Sequence, residues 1–339
     1  MEAFTLRKSI PESWWNELEL PVISAPMFLI SGPELVKACC LNGVIGSFPA
    51  PNARPIELLD QWMGEISSAL DEAKQNDPQR KIAPWAMNMV VHSTYSRLEE
   101  ELELVKKHKP PLVITSLGSP KAVVDIVHSY GGAVFSDVSS VPFAKKAAEA
   151  GVDGLIAVAS GAGGHAGDIN SFAFVDSIRT FWDGIIILAG SITTGRSILA
   201  AQAAGADLAY MGTRFIVAKE SMATMEYREM LVESSQEDII LTNAFSGVNC
   251  NMLKPSISKA GIDPETLVKK DKVEFDSMQK ETNSKAWKDI WSAGHGVGAI
   301  KKIDSAAGII SELKEEYQES LKKLNEHAGR LQSLTLTDM

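Results

Sequence analysis

The chain has 339 residues, 45% of them hydrophobic and 22% charged, with a net charge of −10 at neutral pH. That composition suits a globular protein with a large core and excludes a disordered chain. The acidic balance without any basic stripe argues against nucleic acid, whose phosphates need clustered lysine and arginine, and no apolar run is long enough to span a membrane.

Cys39, Cys40 and Cys250 form no CxxC pair and no cluster with histidine, so no metal is expected. Reduced thiols and an N-terminus without an apolar leader point to the cytoplasm.

The first 20 residues read as a lead-in whose Trp14 and Trp15 cover one end of the core. Short apolar strands then follow in order: Pro21–Pro26, Gly43–Phe48, Ile82–Val90, Leu112–Ser116, Ala133–Phe135, Gly154–Val158, Ile185–Ala189 and Leu208–Met211. Helical patterns separate them. Ser31 with Pro33 and Glu34 starts the first helix, and Pro55–Gln75, Tyr95–Lys107, Pro120–Ser129, Val141–Ala150, Phe172–Phe181 and Thr193–Ala204 carry the rest. Eight strand–helix alternations in about 200 residues favour a parallel, closed (β/α)₈ TIM barrel over an open sheet. No GxGxxG opens the first unit, which weakens a dinucleotide-binding sheet. Residues 1–219 are therefore assigned to the barrel. Residues 220–290, charged and without clear strand alternation, read as a helical insertion or cap. Residues 291–330 return to the barrel and end in a long amphipathic helix from Ser305, with a frayed tail after Leu331.

In such a barrel the site lies at the C-terminal strand ends. Those ends carry Ala25, Pro26 and Met27, then Asn88, then Asp137, and then a glycine-rich loop (Gly161, Gly163, Gly164, Gly167) holding the single titratable residue His165. Gly190 and Ser191, then Gly212 and Thr213, follow the last two strands, where barrels bind phosphate through backbone N–H groups and hydroxyls. The glycine loop on its own reads equally well as a solvated turn. His92, His108, His128 and His327 fall on helices or helix starts and read as surface residues.

These pieces carry a resemblance. PVISAPM at the first strand, Asn88, GAGGHAG at 161–167, LAGSIT at 188–193, GADLAYMGTRF at 205–215 and WSAGHGVG at 291–298 together resemble the nitronate monooxygenase family, formerly called 2-nitropropane dioxygenases, over residues 18–325. The resemblance implies FMN as cofactor. Its ring would pack on Ala25, Pro26 and Met27, with Asn88, Gly163 and Gly164 beside it. Its phosphate would lie at Gly190, Ser191, Met211, Gly212 and Thr213. His165 matches the catalytic histidine, and Ser160 or His295 could bind substrate oxygens. The chain departs from the family at Ser191, where glycine is usual, and at Tyr210, in place of glutamine. Asp137 stands where many members have a lysine on FMN, and His295 where glutamine is common.

The implied activity is oxidation of a nitronate, or of its parent nitroalkane, by O₂. An NAD(P)H:quinone reductase or enoyl-reductase of the same flavin barrel is the alternative. A flavin-free aldolase or isomerase on a phosphorylated metabolite is the second alternative, and a non-enzymatic flavin-binding scaffold the weakest. Oligomeric state stays open, a homodimer included.

Overall fold

The structure, a computed structural model, describes residues 9–245, 247–270 and 289–337, with only the backbone of 331–337. The last two residues of the expected tail after Leu331, and residues 271–288 of the expected cap, lie outside the residues so described.

Eight parallel strands form the centre: β1 (Val22–Ser24), β2 (Gly46–Pro49), β3 (Trp85–Val90), β4 (Leu112–Ser116), β5 (Ala133–Val138), β6 (Gly154–Val158), β8 (Ile185–Ala189) and β9 (Leu208–Met211). Between β6 and β8 lies the two-residue strand β7 (Gly164–His165), outside this sheet. The order β1-β9-β8-β6-β5-β4-β3-β2 closes on itself. The Ser24 N–H donates to the Ile45 carbonyl at 2.8 Å, and the Ile45 N–H to the Val22 carbonyl at 3.1 Å. Closure leaves no strand edge unpaired. The fold is the (β/α)₈ barrel.

Strand alternation sorts the core into two layers. Ile23, Ile114, Phe135, Ile156, Ile187 and Tyr210 point into the barrel. Their neighbours Val22, Val113, Val134, Leu155, Leu188 and Met211 point out against the helices. Removing a ring as enclosed as Phe135 costs about 3–5 kcal/mol, more than any single surface interaction here contributes. Trp14 closes the barrel bottom with its ring 6.5 Å from Phe135. Trp15, also expected to cover the core, is 48% exposed. Adjacent residues on the helix Glu12–Trp15 project about 100° apart, so one turn can bury only one of them.

Seven helices follow the first seven barrel strands: Pro33–Cys40, Ile56–Asn76, Leu98–His108, Lys121–His128, Val141–Glu149, Ser171–Arg179 and Gly195–Ala203. The eighth place is filled late. Ala306–Thr337 packs against both Gly195–Ala203 and Pro33–Cys40, and so bridges the last and first units.

The described part of 220–290 contains two helices, Met225–Glu233 and Lys254–Lys259. It also contains two strands that the sequence reading did not find, β10 (Ile239–Thr242) and β11 (Cys250–Leu253). Every residue of β11 is buried, so it has no polar face to produce alternation. β11 pairs antiparallel with β10 on one side and β7 on the other.

Candidate active site

A cavity of about 400 Å³ opens at the C-terminal ends of the barrel strands. That lies within the range of small-molecule and cofactor sites, roughly 300–1,000 Å³. Its walls come from every part of the chain.

One wall is the loop after β1, where Ala25, Pro26, Met27, Phe28 and Ile30 face the cavity. Leu29 in this loop has a positive φ of 62°, a costly conformation for a branched side chain. Asn52 holds it in place. Its Oδ1 accepts from the Leu29 N–H at 2.8 Å, while its Nδ2 donates to the Met27 and Ser31 carbonyls at 3.0 and 2.8 Å. Sequence reading missed Asn52, since a lone asparagine in a proline-rich turn carries no distinguishing pattern. On β3, Asn88 lines the cavity with its Nδ2 donating to the Ile114 carbonyl and Ser116 Oγ, both at 3.3 Å. That use of the amide nitrogen leaves the amide oxygen available to a ligand.

Opposite runs the glycine loop, with Gly163, Gly164 and His165 in the wall. Gly161 is its hinge, with φ of 80°. A Cβ there would sit 2.3 Å from Ser191 Oγ, so no side chain fits. The Gly161 carbonyl accepts from the Ser191 N–H at 3.3 Å and from the His295 N–H at 3.0 Å. Three loops distant in sequence therefore meet on one oxygen. β11 fixes the loop's far half, pairing Cys250 with His165 and Asn251 with Gly164. Asn251 Nδ2 adds a bond to the Ala162 carbonyl at 2.7 Å. His165 is thus held by main-chain pairing and faces the cavity. Burial lowers its pKa to about 4, so the imidazole is neutral at ordinary pH.

A second corner gathers Gly190, Ser191, Gly212 and Thr213, all in the wall. Thr213 Oγ1 accepts from the Gly294 N–H at 2.9 Å, leaving its own proton to donate to a ligand. Ser191 occupies the left-handed region at φ 57°, which explains physically why glycine is the easier residue there.

Three expected site residues do not reach the wall. Met211 points outward into the helix-facing core, as its place next to inward-facing Tyr210 requires. Ser160 sits at the loop base, its N–H donating to the Ile169 carbonyl at 2.8 Å. His295 is exposed, beside Gly161 and away from the cavity. Conversely, His92, read from the sequence as a surface residue, lies in the cavity wall. The loop after β3 carries it inward before the helix at Leu98 begins. His108 and His128 pair with Asp60 and Asp153.

Two further groups were not foreseen. Tyr95 lines the cavity while its hydroxyl donates to Glu101 at 2.6 Å. Glu101 is fully buried, and burial raises its pKa to about 7. Tyr227 from the cap and Trp291 from the returning segment stack at 4.7 Å and add an aromatic wall. Tyr227 donates to the Ser292 carbonyl at 2.5 Å. Both pairs join residues whose relation exists only after folding.

The floor holds Asp137 and Tyr210. Asp137 Oδ1 and the Tyr210 hydroxyl are both enclosed without a hydrogen-bond partner among the described residues. Such groups cost roughly 1–3 kcal/mol each unless something satisfies them. Burial raises the Asp137 pKa to about 7. The Tyr210 pKa is raised by burial and then by the neighbouring Asp137 charge. Among the described residues no lysine or arginine lines the cavity. An anionic ligand would have to rely on hydroxyls and main-chain N–H groups.

The chain matches the family model described as nitronate monooxygenase over residues 13–316. It is 27% identical to a nitronate monooxygenase of Neurospora crassa, with 94% of each protein covered. It is 24% identical to one of Paraburkholderia phytofirmans, covering 92% of this chain and 96% of that one. Among solved structures, FabK from Thermotoga maritima superposes with a TM-score of 0.74 at 25% identity, covering 92% of this chain and 96% of that one. A nitroalkane oxidase from Streptomyces ansochromogenes superposes with the same score at 21% identity, covering 91% and 99%, a likeness of fold alone. With barrel, cavity and a match across most of its length in agreement, the chain belongs to the nitronate monooxygenase family, whose members are flavin-dependent oxidoreductases.

Proposed function

We propose that this protein is an FMN-dependent oxidoreductase that oxidises alkyl nitronates with O₂, His165 being the residue that binds the reacting group. The observation that carries the reading is a neutral, main-chain-anchored imidazole in the wall of a cofactor-sized cavity whose described lining holds no lysine or arginine. The donor set suits FMN. The Gly190–Ser191 and Gly212–Thr213 corner offers hydroxyls and main-chain N–H groups for the phosphate. Ala25, Pro26 and Met27 offer an apolar surface for a flat ring, and the Asn88 amide oxygen can accept a ring N–H. Bound there, FMN would supply the electron transfer and the reaction with O₂.

The protein's own part is positioning. A nitronate is already deprotonated and electron-rich, so it needs a hydrogen-bond donor more than a base. A neutral imidazole N–H provides one. With a pKa near 4, His165 is a weak base, which favours nitronates over intact nitroalkanes as substrates. Met27, Phe28, Ile30 and the Tyr227–Trp291 wall exclude water and accommodate a small alkyl chain. Cys39 and Cys40 are buried free thiols, which supports a reducing compartment such as the cytoplasm.

The test is oxygen uptake by the FMN-loaded protein with propionate 3-nitronate. His165→Ala should lower turnover by roughly 10²–10⁴-fold while retaining FMN. Undiminished turnover in that variant would remove His165 from its role. Rapid anaerobic bleaching of the flavin by NADH, without nitronate-dependent oxygen uptake, would replace this reading with the reductase one.

A further inference from the structure

We propose that Asp137 and Tyr210 form a cation-free hydrogen-bonding pair for the ring of the bound flavin, the Asp137 carboxyl donating to a ring acceptor when protonated and the Tyr210 hydroxyl donating beside it. The inference rests on the FMN reading above and goes beyond it, since it assigns a task to two residues at which the chain departs from its family.

Both residues line the cavity. They come from different strands, β5 and β9, and alternation aims both inward. Tyr210 is 9% exposed, yet among the described residues its hydroxyl has no partner, and neither has Asp137 Oδ1. Among the described residues nothing hydrogen-bonds these oxygens, and both side chains line the cavity, so a group bound there is placed to satisfy them. No described lysine or arginine lines that cavity to neutralise an ionised Asp137. The titratable groups sharing the space are Tyr210, His165 on β7, His92 and Tyr95 after β3, and Tyr227 from the cap. Tyr210 and Tyr227 are pushed above the ordinary tyrosine range by burial, Tyr95 likewise, and His165 is neutral. A tyrosine carries no positive charge in either of its forms, and the buried His165 imidazole adds none at neutral pH. A ring seated over Asp137 would exclude water further and hold its proton more firmly. A protonated carboxyl donates one hydrogen bond, whereas an ionised one repels ring carbonyl oxygens.

The consequence is a pH dependence of opposite sign to that of a lysine site. Flavin retention should weaken as Asp137 loses its proton, with the change beginning near pH 7. The experiment is fluorescence-quenching titration of FMN-stripped protein with FMN, from about pH 6 to about pH 8.5. For the wild type Kd should rise about tenfold or more across that range. Asp137→Asn keeps a donor and cannot ionise, so its profile should be flatter. The FMN phosphate also ionises in this range, but Asp137→Asn leaves its corner intact, so the difference between the two profiles isolates Asp137. Lumiflavin, which has no phosphate, should show the same wild-type rise. Tyr210→Phe should bind more weakly at every pH. A wild-type profile that is flat with tight binding, or an Asp137→Asn profile as steep as wild type, overturns this inference alone. So does unchanged affinity in Tyr210→Phe. Failure of the wild type to bind FMN at any pH overturns the flavin reading and this inference with it.

Discussion

Ser191 pays a conformational cost that glycine would not, with φ at 57°. Ser191→Gly should therefore raise stability by about 0.5–1 kcal/mol, read from urea unfolding of the cofactor-free protein. A fall in stability would show that the hydroxyl holds the loop. His165 and Asp137 tie stability to pH in opposite senses. The His165 pKa is lowered to about 4 in the folded protein, from 6.5, so the unfolded chain binds the extra proton and stability falls as pH drops through that interval. The Asp137 pKa is raised to about 7 from 3.8, so its folded form keeps a proton that the unfolded chain has lost, and stability falls as pH climbs toward 7. Asp137→Asn should accordingly stabilise the cofactor-free protein more at pH 8 than at pH 5. Equal gains at both values, measured by denaturant midpoints, would contradict the raised pKa.

Among the elements, the pairing of β7 with β11 decides whether the glycine loop can act. A loop with glycine at 161, 163, 164 and 167 loses much backbone entropy on ordering, and its own residues offer few contacts in return. The β11 ladder and the Asn251–Ala162 bond provide the missing constraint. Asn251→Ala leaves the Ala162 carbonyl without that partner. It should cost about 1–3 kcal/mol in unfolding experiments and lower kcat more than FMN affinity. No change in stability would mean that the ladder alone suffices. The loop was visible in the sequence because glycines and a histidine are local features. Its supporting strand was hidden because Cys250, Asn251, Met252 and Leu253 are all buried, polar Asn251 among them.

For the molecule as a whole, the helix Ala306–Thr337 is the closing piece. It lies over the seam between the last and first βα units and reaches Gly195 so closely that a Cβ there would sit 2.2 Å from the Tyr317 nitrogen. Glu316 accepts from the Gly195 N–H at 2.6 Å, and the Tyr317 hydroxyl donates to Gln202 at 2.6 Å. Gly195→Ala should push the two helices apart and destabilise the protein by about 1–3 kcal/mol, seen as a lower Tm. An unchanged Tm would show that the contact can relax freely. Beyond Tyr317 the helix leaves the barrel. Leu321 and Leu324 are 37% and 48% exposed, so the amphipathic pattern there continues without a barrel surface to cover.

The eight strands were legible because each is a short apolar run bounded by turn residues, and a closed parallel barrel requires that pattern in every strand. Ala25, Asn88, Asp137, His165, Gly190 and Thr213 followed from it, since inward-facing residues at the C-terminal strand ends, and the loops after them, surround the mouth. Tertiary structure alone decided the rest. Met211 was lost to the helix-facing core by the direction of one side chain, while His92 and Tyr95 were gained through the path of one loop. Asn52, Asn251, Tyr227 and Trp291 entered through contacts between segments far apart in the chain. Local sequence encodes periodicity over a few residues, whereas a cavity wall is assembled from distant ones, and their meeting is set by the packing of the whole.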